Sequence, residues 1–512
     1  MSHSKIVHFE EAKSFFATLK TNGKCIVQSH GVFDLVHPGH VLHLEEARSF
    51  GDLLVVTICA DEFVGKGPGR PYFNQTLRAQ ALAAMACVDY VVVVPYPGAD
   101  EAIRCVQPDI YCKGKEYQSA LHNVDGSVQS ERSVVESLGG QLRFAGGVKY
   151  SSTKLLNRHF DHLGVSVRTF CQALSEKFSR TAFASAIDDL SKLKVLVMGD
   201  TIFDRYTEVA VQGLTSKNRI ISGRFLREET HPGGALAVFR HVREFTPNVR
   251  YLSLVGTEPW AEAELRATIP NHQDFLVRDS SFTTILKQRF IEPNQSDGVV
   301  AKLFSVNYLN QLPISHSAGA ELERRIRTAV KEVDVVLLLD FGHGMMQPFL
   351  RDIIQSEAPK LVLNCQTNSN NHGFNIINRQ YQRADAFSLD EQEMFLAVGR
   401  RGIDFFQELE IMKSSFGAEY CWLTRGAVQT IGLKTSEVDC VCPPLGSAVR
   451  DTIGAGDAFF SVAALAAAAG LPIDLTTFLG QLAGDQAIRI VGNATPISKQ
   501  TLLTDGMALL NF

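Results

Sequence analysis

The chain has 512 residues, 50 Lys+Arg against 55 Asp+Glu for a formal charge of -5, and is 45% hydrophobic and 21% charged. At about 150 residues per domain, two or three domains are expected. This balance excludes global disorder and a broadly basic nucleic-acid coat, and it gives no reason to expect anionic-membrane binding.

The first apolar run, Cys25-Ile26-Val27, reads as a strand, followed by a loop over Ser29–Asp34 and a helix-compatible stretch from Pro38 to Ser49. Leu53–Ile58 reads as a second strand, Gln75–Ala86 as a helix, and Tyr90–Val94 and Asp109–Cys112 as further strands. Strands alternating with helices predict a parallel, doubly wound sheet. Residues 158–190 are polar and helix-compatible, with no strand signal, and read as a helical linker. A second α/β pattern opens at Lys194–Asp200 and continues with strands near Val335–Leu339, Leu361–Asn364 and Tyr420–Leu423. It closes with a helix beginning near Gly454. The expected fold class is α/β with two doubly wound domains, 1–157 and 191–512.

The ten cysteines include no CxxC pair, and most sit in apolar runs, so buried reduced thiols are expected. The N-terminal MSHSKIVHFEEAKSFF has acids among its apolar residues and no signal-peptide core. The apolar stretch Phe459–Leu471 is too short to span a bilayer. A cytoplasmic location without membrane or nucleic-acid partners is the expectation.

Two constellations carry chemistry. His37-Pro38-Gly39-His40 lies after the first strand and opens the first helix. Pro38 suits a first helical turn, and Gly39 lets a phosphate approach the backbone. The helix N-terminus offers free N–H groups, and imidazoles three residues apart share one face. Such a site stabilises charge growing on an α-phosphate during in-line attack. A helix start with incidental histidines is the plain alternative. Lys66 and Arg70, the two cations of a Gly/Pro loop, Lys113 after the fourth strand, and Ser152 and Thr153 before a helical run fall at the same expected sheet edge. The second constellation is Asp451-Thr452-Ile453-Gly454-Ala455-Gly456-Asp457. Gly454, Ala455 and Gly456 offer backbone N–H groups as an anion hole, and Asp457 is positioned to take a proton from a substrate hydroxyl.

Residues 1–157 resemble the HxGH cytidylyltransferase-like superfamily, with a Rossmann-like fold. Within it they are most similar to the heptose-1-phosphate adenylyltransferase domain, through GVFDLVHPGHVLHLEEARSFGDLLVV, GRPYFNQTLRAQAL, ACVDYVVV and QPDIYCKGKEY. The resemblance implies that His37 and His40 contact the nucleotide phosphates in the transition state. It implies nucleotide contacts at Gly31 and Phe33, triphosphate contacts at Lys66, Ser152 and Thr153, and Lys113 beside the sugar phosphate or nucleotide. Mg²⁺, ATP or CTP as substrate, and release of pyrophosphate are implied with it.

Residues from about 181 to 512 resemble the ribokinase-like (PfkB) carbohydrate kinases, through the glycine motif, Gly199-Asp200-Thr201-Ile202-Phe203-Asp204 and His231-Pro232-Gly233-Gly234-Ala235. This implies Asp457 as base, sugar contacts from Asp204, Gly233 and Gly234, and Thr424 and Gly426 along the nucleotide. Lys287 and Arg289 would bind the substrate's existing phosphate, and Glu393 would organise the metal. The chain departs from the family pattern at Ala237, where Asn is usual, and at Asn364-Cys365-Gln366, where one acid and one cation are missing.

Together the two halves resemble the bifunctional heptose-7-phosphate kinase/heptose-1-phosphate adenylyltransferase family with the domain order reversed. That implies a two-site enzyme making a nucleotide-activated sugar from nucleoside triphosphate and sugar phosphate, as a homodimer. The alternatives are a nucleotidyltransferase with a degenerate kinase-like domain, and a non-enzymatic nucleotide sensor.

Overall fold

The computed structural model describes residues 5–64, 70–117, 126–146, 164–269, 276–293, 300–310, 313–368, 371–446 and 449–511. The chain divides into two compact units, residues 1–165 with 511–512, and residues 166–510.

The first unit contains β1 (Ile6–Val7), α1 (Phe9–Thr21), β2 (Ile26–Gly31), α2 (Pro38–Arg48), β3 (Leu53–Cys59) and α3 (Gln75–Ala83). It continues with β4 (Tyr90–Val94), α4 (Ala99–Val106), β5 (Ile110–Gly114), α5 (Gly126–Ser137) and β6 (Gln141–Ala145). The β3 sequence, LLVVTIC, is buried from Leu54 onward, the near-continuous apolar run of a parallel strand covered on both faces. α3 starts where the Asn74 side chain accepts from the Leu77 N–H. The strands form one sheet in the order β1-β4-β3-β2-β5-β6, with every neighbouring pair parallel. Val27, Leu44, Val56 and Leu82 pack on one face, and Phe16, Val55, Val92 and Ala102 on the other. The order reverses at β2, between β3 and β5, so the ligand crevice of such a sheet lies at their carboxyl ends. β1 and the largely exposed edge strand β6 give weak sequence signals.

The helices Val165–Lys177 and Arg180–Asp189 occupy the segment expected as a linker. Val167, Cys171 and Leu174 are buried at helical spacing, and Phe183 is fully buried 6.0 Å from Phe478. The amphipathic stripe therefore covers the core of the second unit.

The second unit has a nine-stranded sheet in the order β11-β10-β7-β14-β15-β16-β17-β18-β19. These strands are β7 (Val195–Gly199), β10 (Val249–Val255), β11 (Leu276–Arg278), β14 (Val335–Asp340), β15 (Leu361–Cys365), β16 (Ala386–Asp390), β17 (Tyr420–Thr424), β18 (Thr430–Lys434) and β19 (Cys440–Cys442). All pairs from β11 to β17 are parallel, and β18 and β19 add antiparallel edges. The order reverses at β7, between β10 and β14. A separate four-stranded sheet, β13-β12-β8-β9, is formed by β8 (Thr201–Leu214), β9 (Ile221–Gly233), β12 (Ile285–Pro293) and β13 (Val300–Tyr308). β8 follows β7 after Asp200, so the second sheet grows from the switch point of the first.

All ten cysteines are free thiols; eight are buried, and Cys25 and Cys87 are half-buried. Among the described residues no helix is long and apolar enough to cross a membrane.

Candidate active sites

In the first unit His37 is the N-cap of α2 and Pro38 its first residue. One helical turn brings the imidazoles of His37 and His40 into a stack, with ring centroids 3.9 Å apart and planes 18° apart. Phe33 packs on His40 at 5.1 Å and has a left-handed backbone, φ 50°. A side chain at Gly31 would meet the Phe33 ring at 3.0 Å, which explains the glycine there. Burial holds the His37 imidazole below its ordinary pKa, favouring its neutral form.

Three residues outside the expected site set, Arg78, Asp34 and His43, build the frame. Arg78, 1% exposed, donates to the carbonyls of Val32, Cys59 and Phe73 and to Asp61. It thereby joins the ends of β2 and β3 to the segment before α3. Asp34 accepts from the backbone N–H groups of Tyr72 and Phe73 at 2.7 and 3.0 Å and is ion-paired with Arg70. His43, one turn beyond His40, hydrogen-bonds Ser29 Oγ at 2.9 Å and the Ala145 carbonyl at 3.2 Å. Arg78 carried a signal, since a cation inside an apolar helix face needs buried acceptors.

Lys113, at the end of β5, is ion-paired with Glu131 at 2.8 Å, both side chains being largely buried. Burial pushes Glu131 above its ordinary range and Lys113 opposes it. Next to it, burial and then the Lys113 charge push His30 down to about 3. Lys66, Ser152 and Thr153 lie outside the described residues.

In the second unit Gly454 caps the helix Ala455–Ala468 with φ 85°, and a side chain there would collide with Asn493. Gly456, in contrast, has nothing within 4 Å of where a Cβ would be. The glycine turn is therefore closed behind and open in front. Asp457 stands in the first turn of this helix. Burial, with the nearby Asp204 charge, pushes its carboxyl up to about 7, against Gln366 and Lys287. Gln366 Nε2 donates to Asp457 Oδ1 at 3.1 Å, so the residue counted as a missing cation steadies the expected base.

Parallel pairing of β12 with β8 sets Lys287 opposite Asp204, and antiparallel pairing sets Asp204 opposite His231. Arg289 is ion-paired with Asp204. Burial holds Lys287 below its ordinary pKa, with Asp204 opposing. Gly233 and Gly234 open the helix Gly234–Arg243; a side chain at Gly233 would strike the Asp204 carboxylate, and Gly234 has φ 54°. Electrostatic coupling ties Asp204, Lys287, Arg289 and Asp457 into one group. Thr424 ends β17 with its hydroxyl on the Leu389 carbonyl at 3.3 Å, and Gly426 follows with φ 51°.

Glu393, expected to organise the metal, is engaged in a helix cap. Its oxygens accept from the backbone N–H groups of Thr367 and Asp390 at 3.2 and 2.9 Å, in a capping box with Asp390. Burial, then Asp390, push it up to about 8, so it is protonated over most of the neutral range. Among the described residues no group of three His, Cys, Asp or Glu gathers as metal ligands. Ala237 is 1% exposed and contributes only packing.

Asp451 ties the glycine turn to the four-stranded sheet of this unit. It accepts from Lys302 of β13 at 2.9 Å and from the Tyr206 hydroxyl of β8 at 3.0 Å. It also accepts from the N–H groups of Ile453 and Gly492, both at 3.2 Å.

Residues 29–158 match the family model described as Cytidylyltransferase-like. Among curated proteins, the Bifunctional protein HldE of Desulfatibacillum aliphaticivorans is 40% identical over 141 residues, 27% of each chain. That of Aliarcobacter butzleri is 44% identical over 119 residues, 23% of this chain and 25% of the relative. The chain thus matches under a third of the length of these relatives. Among solved structures, phosphofructokinase-2 from Escherichia coli in complex with substrates and products is 13% identical, with TM-score 0.47, covering 62% of this chain and 98% of that one. Arabidopsis thaliana ribokinase complexed with ribose and ATP is 17% identical, with TM-score 0.48, covering 62% and 99%.

Proposed function

We propose that the chain is a two-site enzyme of nucleotide-activated sugar synthesis, of the ADP-heptose type, with the nucleotidyltransferase preceding the kinase. The observation that carries this reading is the His37–His40 stack over the opening turn of α2, at the point where the strand order reverses. The Cytidylyltransferase-like match and the HldE relatives support it.

In the first unit an oxygen of a sugar 1-phosphate attacks the α-phosphorus of a nucleoside triphosphate. The new P–O bond forms as the bond to pyrophosphate breaks. The imidazoles and the first-turn N–H groups of α2 stabilise the charge that develops. In the second unit Asp457 takes the proton of a sugar-phosphate hydroxyl, at the anomeric carbon, as that hydroxyl's oxygen attacks the γ-phosphorus of ATP and the bond from the γ-phosphorus to the departing ADP breaks. The N–H groups of the turn at Gly454–Gly456 receive the transferring phosphoryl group. Lys287 and Arg289 hold the phosphate already on the sugar, and Asp204 orients its hydroxyls. Each nucleotide enters as its magnesium complex, so the ion arrives with the substrate. The enzyme works in the cytoplasm as a homodimer.

Separate assays test this. His40→Ala should abolish pyrophosphate release from ATP or CTP plus sugar 1-phosphate while sparing ATP-dependent sugar phosphorylation; unchanged release removes the first site. A second reading, a transferase with a degenerate kinase-like unit, draws on Ala237, which presents no polar group where the family has Asn. Absence of phosphorylation across a sugar-phosphate panel, with transferase activity intact, would establish it.

A further inference from the structure

Arg70, the second cation of the Gly/Pro loop, has no assigned role beyond its ion pair with Asp34, and it is poorly satisfied. Its side chain is 2% exposed. Its Nε is used by Asp34, three residues before His37, but Nη1 and Nη2 are buried with no hydrogen-bond partner. Burying the terminal donors of a guanidinium unpaired is costly. Nor is the group free to swing out. Asp34 is itself held by the N–H groups of Tyr72 and Phe73, and Arg78 stitches Val32 to Phe73 behind it. The frame thus fixes a planar two-nitrogen edge, a geometry suited to two oxygens of one phosphoryl group.

We propose that Arg70 is a phosphoryl-binding residue of the first unit, engaging two oxygens of a substrate phosphate through Nη1 and Nη2. This deepens the nucleotidyltransferase reading and rests on it for the identity of the substrates. The phosphate belongs either to the nucleotide's polyphosphate or to the sugar 1-phosphate.

Calorimetric titration of the full chain with inorganic pyrophosphate and, separately, with glucose 1-phosphate distinguishes the two sources. Arg70→Lys keeps a cation beside Asp34 but loses the coplanar donor pair. It should weaken one titration by about tenfold or more while leaving the thermal unfolding midpoint near that of the wild type. Loss of the pyrophosphate signal assigns the nucleotide; loss of the sugar-phosphate signal assigns the sugar. Arg70→Gln, smaller and neutral, serves if the lysine variant folds poorly, and should lose the same signal. Both affinities within twofold of wild type, or no binding of either anion by the wild type, overturns the proposal. Pyrophosphate release by the wild type, run in parallel, reports on the broader reading: binding that depends on Arg70 without turnover would sink the transferase assignment and leave the anion site standing.

Discussion

The two candidate sites carry opposite side chains under the same physics. In the first, burial lowers the pKa of His37 and keeps an imidazole neutral. In the second, burial and the neighbouring Asp204 raise Asp457 to about 7, leaving a carboxyl that can exchange a proton near neutrality. Desolvation favours the neutral form in both. In the proposed reactions the neutral imidazole would donate to developing charge, and the raised carboxyl would serve as the stronger base. The lesson is that one burial effect produces an electrostatic site or an acid–base site, depending on the residue supplied.

The sharpest way to break this comparison is Asp457→Asn. Sugar phosphorylation should fall by about 10²- to 10⁴-fold, with pyrophosphate release unchanged. The same variant carries a stability signature. The native carboxyl, near 7, retains a proton that the unfolded chain sheds near 3.8, so the stability from its neutral form is lost as pH rises through about 7. The stability of Asp457→Asn relative to wild type should therefore improve between pH 5 and pH 8 in urea denaturation. A constant difference would mean that the carboxyl is not raised.

Arg78→Met tests whether the imidazole site depends on its frame. Removing one buried guanidinium strands the carbonyls of Val32, Cys59 and Phe73, at a cost of about 3–5 kcal/mol. Denaturation of the first unit should move to lower urea and transferase activity should fall, with the second unit's transition in place.

A comparison within the glycine turn separates stability from chemistry. Gly454→Ala meets Asn493 and a positive φ, and should cost about 1–3 kcal/mol. Gly456→Ala meets nothing, and should leave the unfolding midpoint within error while lowering phosphorylation through a methyl on the phosphate side. Equal destabilisation by the two would contradict the open front of the turn.

Smaller effects sharpen the picture. Gln366 lowers the Asp457 pKa by donating to it, so Gln366→Leu should shift the acid limb of kcat/KM for phosphorylation to higher pH. Lys302→Met, which removes a 42% exposed partner of Asp451, should reduce phosphorylation only several-fold. A loss as large as that of Asp457→Asn would move Lys302 from positioning the turn to binding substrate.

By itself the sequence determined what depends on neighbours along the chain. The spacing of His37 and His40, the proline at the first position of α2, and the glycines before Asp457 set local dihedrals and one helical face, and those need few distant contacts. Tertiary structure alone decided what the rest became. It gave Glu393 to a helix cap, turned Gln366 toward the base, and folded the expected linker helices onto a core. It also brought Asp34 to Arg70, Lys287 to Asp204 and Lys302 to Asp451, across 36, 83 and 149 residues. Such pairings are set by strand order, register and burial over the whole sheet, and short-range periodicity holds no record of them.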